Sequence, residues 1–253
     1  LKGVETVLSL RDVVLSRGGR TVIKNLCASA DRGDVVALRG PNGAGKTTLL
    51  HFIAGVLKSD SGELYFLGSR IDCRALDWRR RLAYVLEDGG TIPLLTVEEQ
   101  LYLHSALAGV GHTESLERAR LLIDLLELDR YRDYRADELS SGVRKRLGIG
   151  LGVVRDADVF LFDEPYSALD IQATMIFGRI LMTLRNRGRI VVVASHSFPF
   201  SGNLYNHVWT LSAGAVVDGV HERDLLDALN HSIQPESSSG YKEIDIPWIP
   251  PAT

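Results

Sequence analysis

One stretch constrains this chain more than any other feature: Gly40-Pro41-Asn42-Gly43-Ala44-Gly45-Lys46-Thr47. It follows a short apolar run, Val35–Arg39, that reads as a strand, and it opens a helical pattern running from Lys46 to about Val56. Between a strand and a helix, the Gly-x-x-x-x-Gly-Lys-Thr pattern has a mechanism. A triphosphate carries dense negative charge, and main-chain N–H groups converging on it act as fixed positive dipoles. Glycines let the backbone curl close to the phosphate oxygens. Lys46 brings an ammonium to the outer phosphates, and Thr47 offers a hydroxyl to Mg²⁺. Thr48 and the helix start add further donors. The stretch from Gly40 to Thr48 is therefore expected to bind the phosphates of a nucleotide.

A second feature supports this reading. Val159-Phe160-Leu161-Phe162-Asp163-Glu164 is an apolar strand ending in two carboxylates. In a parallel sheet the carboxyl ends of the strands share one edge with such a loop. Asp163 is then placed to hold Mg²⁺, directly or through water. Glu164 can reach the water beyond the γ-phosphate, as its base or its positioner. The alternative is a helix N-terminus with an acidic first turn, but the upstream phosphate loop favours the catalytic reading.

The fold class expected is α/β. Val7–Leu15, Thr21–Ala30, Gly62–Leu67 and Leu82–Leu86 read as strands, with turns at Gly18-Gly19 and Gly68-Ser69. Val159–Phe162 and Ile190–Ala194 are buried-type runs separated by a helix from about Ile171 to Arg187, which suggests parallel strands with crossovers. Residues 88–156 read as a helical insertion. Val97–Leu107 and Ser115–Leu126 carry apolar residues at helical spacing, and Ser140 or Ser141 can cap a helix reaching about Val154. Val208–Leu211 and Ala215–Val217 read as a closing hairpin around Gly214.

Composition mainly excludes. The net charge of -3 gives no global basic field for nucleic acid, and the Arg79-Arg80-Arg81 run reads as a solvated helix face; no nucleic-acid partner is expected. Cys27 and Cys73 have neither metal nor redox spacing, which fits a reducing cytosol. The apolar runs fall far short of the roughly 18 residues that span a bilayer, and the N-terminus lacks a signal-peptide pattern. Any membrane work then needs a partner. Residues 233–253 are Pro/Ser-rich, with a linker-like Ser237-Ser238-Ser239-Gly240 and an extended Ile246-Pro247-Trp248-Ile249-Pro250-Pro251. The plain reading is a tail without fixed structure. The sharper one is a docking peptide whose tryptophan inserts into a partner or folds back on the domain.

Three further motifs narrow the class. Leu139-Ser140-Ser141-Gly142-Val143-Arg144-Lys145-Arg146 resembles the signature motif of ATP-binding-cassette (ABC) ATPases, and it stands just before the acidic strand. Ser167-Ala168-Leu169-Asp170 resembles that family's D-loop, and Ser195-His196 follows a core strand as its switch histidine does. The resemblance covers about residues 7–220, in order. It implies a P-loop, RecA-like core with an antiparallel β subdomain and a helical subdomain, spanning residues 1–232. It also implies two cassettes closing head to tail around two ATP molecules. Ser140, Ser141 and Gly142 would then contact the ATP of the opposite subunit. Asp170 would organise the interface, and His196 would hold the γ-phosphate and the attacking water. Lys46, Glu164 and His196 form the expected catalytic set. The implied partners are a membrane permease and a second ABC ATPase, identical or sibling, with the chain peripheral on the cytoplasmic face of the membrane.

Three positions depart from the family pattern. Arg17 stands where an adenine-stacking aromatic is usual, and a guanidinium can also stack on a base. Glu87 replaces the usual glutamine and joins Thr47 and Asp163 as a candidate metal ligand. Val143 replaces a signature glutamine. The last two resemble exporter-type subunits and tilt the expectation toward export. A soluble cassette ATPase and a low-turnover regulatory cassette are the alternatives.

Overall fold

A computed structural model describes residues 7–199, 204–212, 215–219 and 243–251 of the chain. Its first unit is a β-hairpin, β1 (Leu8–Arg17) and β2 (Arg20–Ala30), closed by Gly18 and Gly19 at φ 59° and 77°. With β4 (Ser61–Phe66) and β5 (Ser69–Ile71) it makes a four-stranded antiparallel sheet, ordered β2-β1-β4-β5.

The larger sheet has six strands. Its order is β10 (Ala215–Gly219), β9 (His207–Ser212), β3 (Val35–Arg39), β8 (Ile190–Ala194), β7 (Val159–Asp163) and β6 (Leu82–Val85). All neighbours pair in parallel except β10, which runs antiparallel at the edge. Every residue of β7 and β8 is buried, the continuous apolar pattern of a strand covered on both faces. Alternate residues serve two cores. Phe160, Phe162, Val191 and Val193 pack with α5 (Ser141–Val153) and α6 (Ile171–Asn186). Val159, Leu161, Val192 and Ala194 pack with α1 (Lys46–Ile53) and the antiparallel sheet. The phosphate loop and the acidic strand end therefore emerge at one edge of a rigid sheet.

Between β6 and β7 the chain forms α3 (Val97–Leu107), α4 (His112–Leu125), short 3-10 turns at Asp129–Tyr131 and Ala136–Glu138, and α5. Thr96 and Glu99 open α3 with reciprocal bonds of 3.2 and 2.8 Å, a capping box. Three glycines let α5 lie close to its neighbours. A Cβ on Gly152 would stand 2.3 Å from Val85, on Gly150 2.8 Å from Leu126, and on Gly148 2.6 Å from the Cα of Gly89.

β5 differs from the sequence expectation by appearing at all, while the helix face expected at Arg79–Arg81 falls on α2 (Leu76–Arg80), with Arg79 and Arg80 exposed and Trp78 buried, donating its indole N–H to Ile53 O at 2.7 Å. The tail is the larger difference. Residues 243–251 lie on the domain, with Ile244, Ile246 and Ile249 buried. Thr183 exchanges hydrogen bonds with Ile244 at 2.9 and 3.0 Å. Arg187 and Arg189 donate to the carbonyls of Ile249 and Pro250 at 2.8 and 3.0 Å. Trp248 donates to Val153 O at 2.9 Å and lies under the Arg118 guanidinium, 5.1 Å from the ring centre. The reading of a tail without fixed structure fails for this segment, because three isoleucines find buried places and a tryptophan a half-buried one, which a local composition count cannot see. The expected linker at Ser237–Gly240 lies outside the described residues.

Candidate active site

The loop after β3 is shaped by what surrounds it. Gly45 precedes α1 at φ 104°, and a Cβ there would stand 2.7 Å from Val22. Left-handed backbone against a neighbouring side chain leaves room for glycine alone. Lys46 is 7% exposed; its ammonium donates to Gly40 O at 3.0 Å and stands 3.7 Å from Glu164 Oε1. The charge thus spans the loop and meets the acidic strand end directly. A cavity of about 550 Å³ opens over Asn42–Thr48 and is walled by Arg17, Val22, Glu87, Glu164, Ser167 and His196. A second, of about 540 Å³, lies beside it over His51, Tyr84, Leu86, Asp88 and Asp163; the two share Thr47, Glu87 and Ser167.

Glu164 is the most heavily held side chain of the site. Its Oε2 accepts from Ser195 Oγ at 2.9 Å and from the His196 main chain at 3.3 Å, and faces His196 Nδ1 at 2.9 Å. Its own backbone is left-handed, φ 43°, which is uncommon for a residue with a side chain. The peptide is fixed by its N–H to Ala194 O at 2.8 Å and by its carbonyl accepting from Ser167 Oγ at 2.8 Å.

Asp163 is 2% exposed. Tyr84 reaches its Oδ2 at 3.4 Å, while Oδ1 has no hydrogen-bond partner among the described residues. Burial raises its carboxyl above the ordinary range, the Thr47 hydroxyl opposes this, and the Glu87 and Glu164 carboxylates add to the rise. A buried acceptor without a partner costs stability unless something else satisfies it. A divalent cation beside the Thr47 hydroxyl fits that need. Among the described residues no cluster of three His, Cys, Asp or Glu could hold a metal unaided. Mg²⁺ usually takes one or two carboxylates and completes its shell with phosphate oxygens and water.

The remaining expected residues fall into two groups. Arg17 and Glu87 line the first cavity with exposed side chains. Ser140, Ser141 and Gly142 line neither of these two cavities; they sit at the solvent-facing start of α5, where Ser140 caps the helix by accepting from Val143 N at 3.4 Å. A Cβ on Gly142 would lie 2.7 Å from Ala168 O, so this glycine is pressed beneath the loop leading to α6. Asp170 caps α6, accepting from Ala173 N at 2.7 Å. Sequence reasoning passed over Tyr84 and Ser195 as partners of the acids, and over Lys145, whose ammonium touches two of the site's loops. Ser195 was visible in the sequence as the residue between a buried strand and His196; the other two carried no comparable signal.

Comparison with known proteins gives consistent results. The family model for ABC transporters matches residues 23–167. The chain is 30% identical over 222 residues to the Nod factor export ATP-binding protein I of Cupriavidus metallidurans, covering 88% of this chain and 73% of that protein. It is 28% identical over 246 residues to the protein of the same name from Burkholderia lata, covering 97% and 78%. Among solved structures, an ATP-binding subunit of an ABC transporter superposes with a TM-score of 0.80 at 24% identity, over 89% of this chain and 98% of that one. A dimeric ATP-binding cassette in a post-hydrolysis state with ADP and Pi superposes with a TM-score of 0.72 at 23% identity, over 84% and 98%.

Proposed function

Since the chain belongs to the ABC transporter family, and is its ATP-binding and ATP-hydrolysing subunit, we propose that it powers a membrane exporter, with Glu164 activating the water that cleaves ATP. The observation that carries this reading is the Glu164 carboxylate itself. It stands at the wall of the phosphate-loop cavity, held between Lys46, Ser195 and His196. A base fixed by several bonds keeps its orientation through the reaction.

In this proposal Gly40–Thr48 wrap the phosphates with main-chain N–H groups, and Lys46 pairs with the outer ones. Thr47 and Asp163 would hold Mg²⁺, and Glu87 lines the same cavity as a further candidate ligand; a bound ion would supply charge neutralisation at the outer phosphates. His196 supports the γ-phosphate beside Glu164. Arg17 meets the base at the rim. Ser140, Ser141 and Gly142 face outward because they serve the ATP of a second copy or a sibling chain, and Asp170 lies on that seam. ATP then closes the pair by binding the closed state better than the open one. The segment containing α3, α4 and α5 passes the motion to a separate permease at the inner membrane face. Among the described residues no helix is long and apolar enough to cross a membrane. The acidic pair Glu87-Asp88 and the export function in the relatives' names favour outward transport.

The test is Glu164→Gln. Turnover should fall by about 100-fold or more while ATP stays bound, and light scattering should find a dimer that forms with ATP. Hydrolysis at the wild-type rate would remove Glu164 from its role. An ATP-loaded variant that stays monomeric would remove the closure.

A further inference from the structure

Of the buried charges that have no part in the mechanism above, one lies against the site. Lys145, on α5, is 4% exposed, and its ammonium donates to two main-chain carbonyls, those of Glu87 and of Glu164, the latter at 2.9 Å. It makes no ion pair with any carboxylate among the described residues, yet Glu87, Asp163, Glu164 and Asp88 all act on it electrostatically. Burying an ammonium is costly unless its surroundings compensate. Here the compensation comes from the backbone of the two segments that carry the site's acids, with the acids themselves close behind.

The contacts are placed where they matter for geometry. Glu164 holds a left-handed φ of 43°, so its peptide needs external support. Its carbonyl accepts from Lys145 as well as from Ser167. The Glu87 segment is pressed on the same helix by a second contact, since a Cβ on Gly148 would stand 2.6 Å from Gly89 Cα and one on Gly89 would stand 3.0 Å from Arg144 O. One turn of α5 therefore touches the backbone on both sides of the cavity. That helix begins at Ser141, directly after the serine that caps it.

We infer that Lys145 is a positioning residue for hydrolysis: it ties the start of α5 to the peptides of Glu164 and Glu87, so that a shift of the helix moves both carboxylates together. This rests on Glu164 acting on the attacking water, as proposed above. The lysine holds main-chain atoms and touches no reacting atom. Its effect belongs on the rate of the chemical step, with ATP binding left to the loop at Gly40–Thr48.

The experiment compares Lys145→Met, which keeps the length and removes the donors, with Lys145→Gln, which keeps a neutral donor, in the full chain. For Lys145→Met, kcat should fall at least tenfold, while KM and the dissociation constant of a fluorescent ATP analogue stay within twofold and the unfolding midpoint does not drop. Lys145→Gln should recover part of the rate. Lys145→Met combined with Glu164→Gln should be no more than twofold slower than Glu164→Gln alone in single turnover, because the contribution of Lys145 to the chemical step runs through the Glu164 carboxylate, with Glu87 carried along. A Lys145→Met rate within twofold of wild type overturns the inference. So do losses of rate, affinity and thermal stability in step, a glutamine variant no faster than the methionine one, or multiplied losses in the double variant. A wild-type rate for Glu164→Gln alone would instead refute the role of Glu164, so the two failures are told apart.

Discussion

Two parts of the surface carry the motifs, and they are built in opposite ways. At the sheet edge, Lys46 and Asp163 are buried and Glu164 nearly so, and Lys46 and Glu164 are bound to each other and to neighbouring segments before any ligand enters. At the start of α5, Ser140 and Ser141 are exposed, and among the described residues the Ser140 hydroxyl does no more than cap its helix. The first region carries a strained peptide, a buried cation and an unpartnered carboxylate oxygen, costs that a merely structural edge would not carry. The two exposed serines carry none. A preorganised half and an unencumbered half are what a shared site requires: one does the chemistry within its own chain, the other needs only to be presented.

That contrast can be broken in three places. The largest effect is expected from Lys46→Ala, which removes a cation already positioned over the loop and leaves Glu164 without its charged neighbour. Nucleotide binding measured by calorimetry should weaken by about 100-fold, about 3 kcal/mol, the size of one or two charge-assisted hydrogen bonds. Binding within threefold of wild type would mean that the preorganised half is not where affinity resides. Next comes Ser140→Ala. Losing the cap costs about 1 kcal/mol of stability, and turnover should drop about tenfold while the isolated chain keeps its ATP affinity within twofold. If affinity and turnover fall together, the two halves are not separate.

The smallest effect is Asp163→Asn, and it runs the other way on stability. The folded carboxyl binds its proton more tightly than the unfolded one, whose value lies near 3.8. Its ionisation therefore penalises the folded state; the penalty grows as pH rises above that value and is complete above the folded one. At neutral pH without metal, the asparagine variant should unfold at a temperature about 2–4 °C higher, a gain of about 1 kcal/mol. The gap should close as pH is lowered toward 3.8. A variant less stable than wild type at pH 7 would show that the carboxylate is better satisfied than its free Oδ1 suggests.

The sheet edge was legible because its chemistry is local. The spacing from Gly40 to Thr47 lies in one loop, Asp163 and Glu164 end one apolar run, and α3 has the expected bounds, Val97–Leu107, with a capping box at its start. β5 escaped because it is only three residues long and is fixed by its pairing with the adjacent β4. The rest of what escaped depends on partners far along the chain. Lys145 stands in the basic end of the signature-like motif and carries no sign there of its partners; only the fold brings Glu87 and Glu164 to it, 58 and 19 residues away. The tail is Pro-rich and reads as extended, and its contacts with Arg118, Thr183 and Val153 lie 61 or more residues distant.

The seating of Ile244, Ile246 and Ile249 has a practical consequence for any measurement of pairing. A preparation clipped by a protease ahead of Glu243 would keep its entire nucleotide site but bare a greasy furrow along Thr183–Arg189 and the foot of α5. Such fragments would clump with rising concentration whether or not ATP is present. Intact-mass spectrometry of each sample would tell clumping of that origin from the ATP-dependent association of two whole chains.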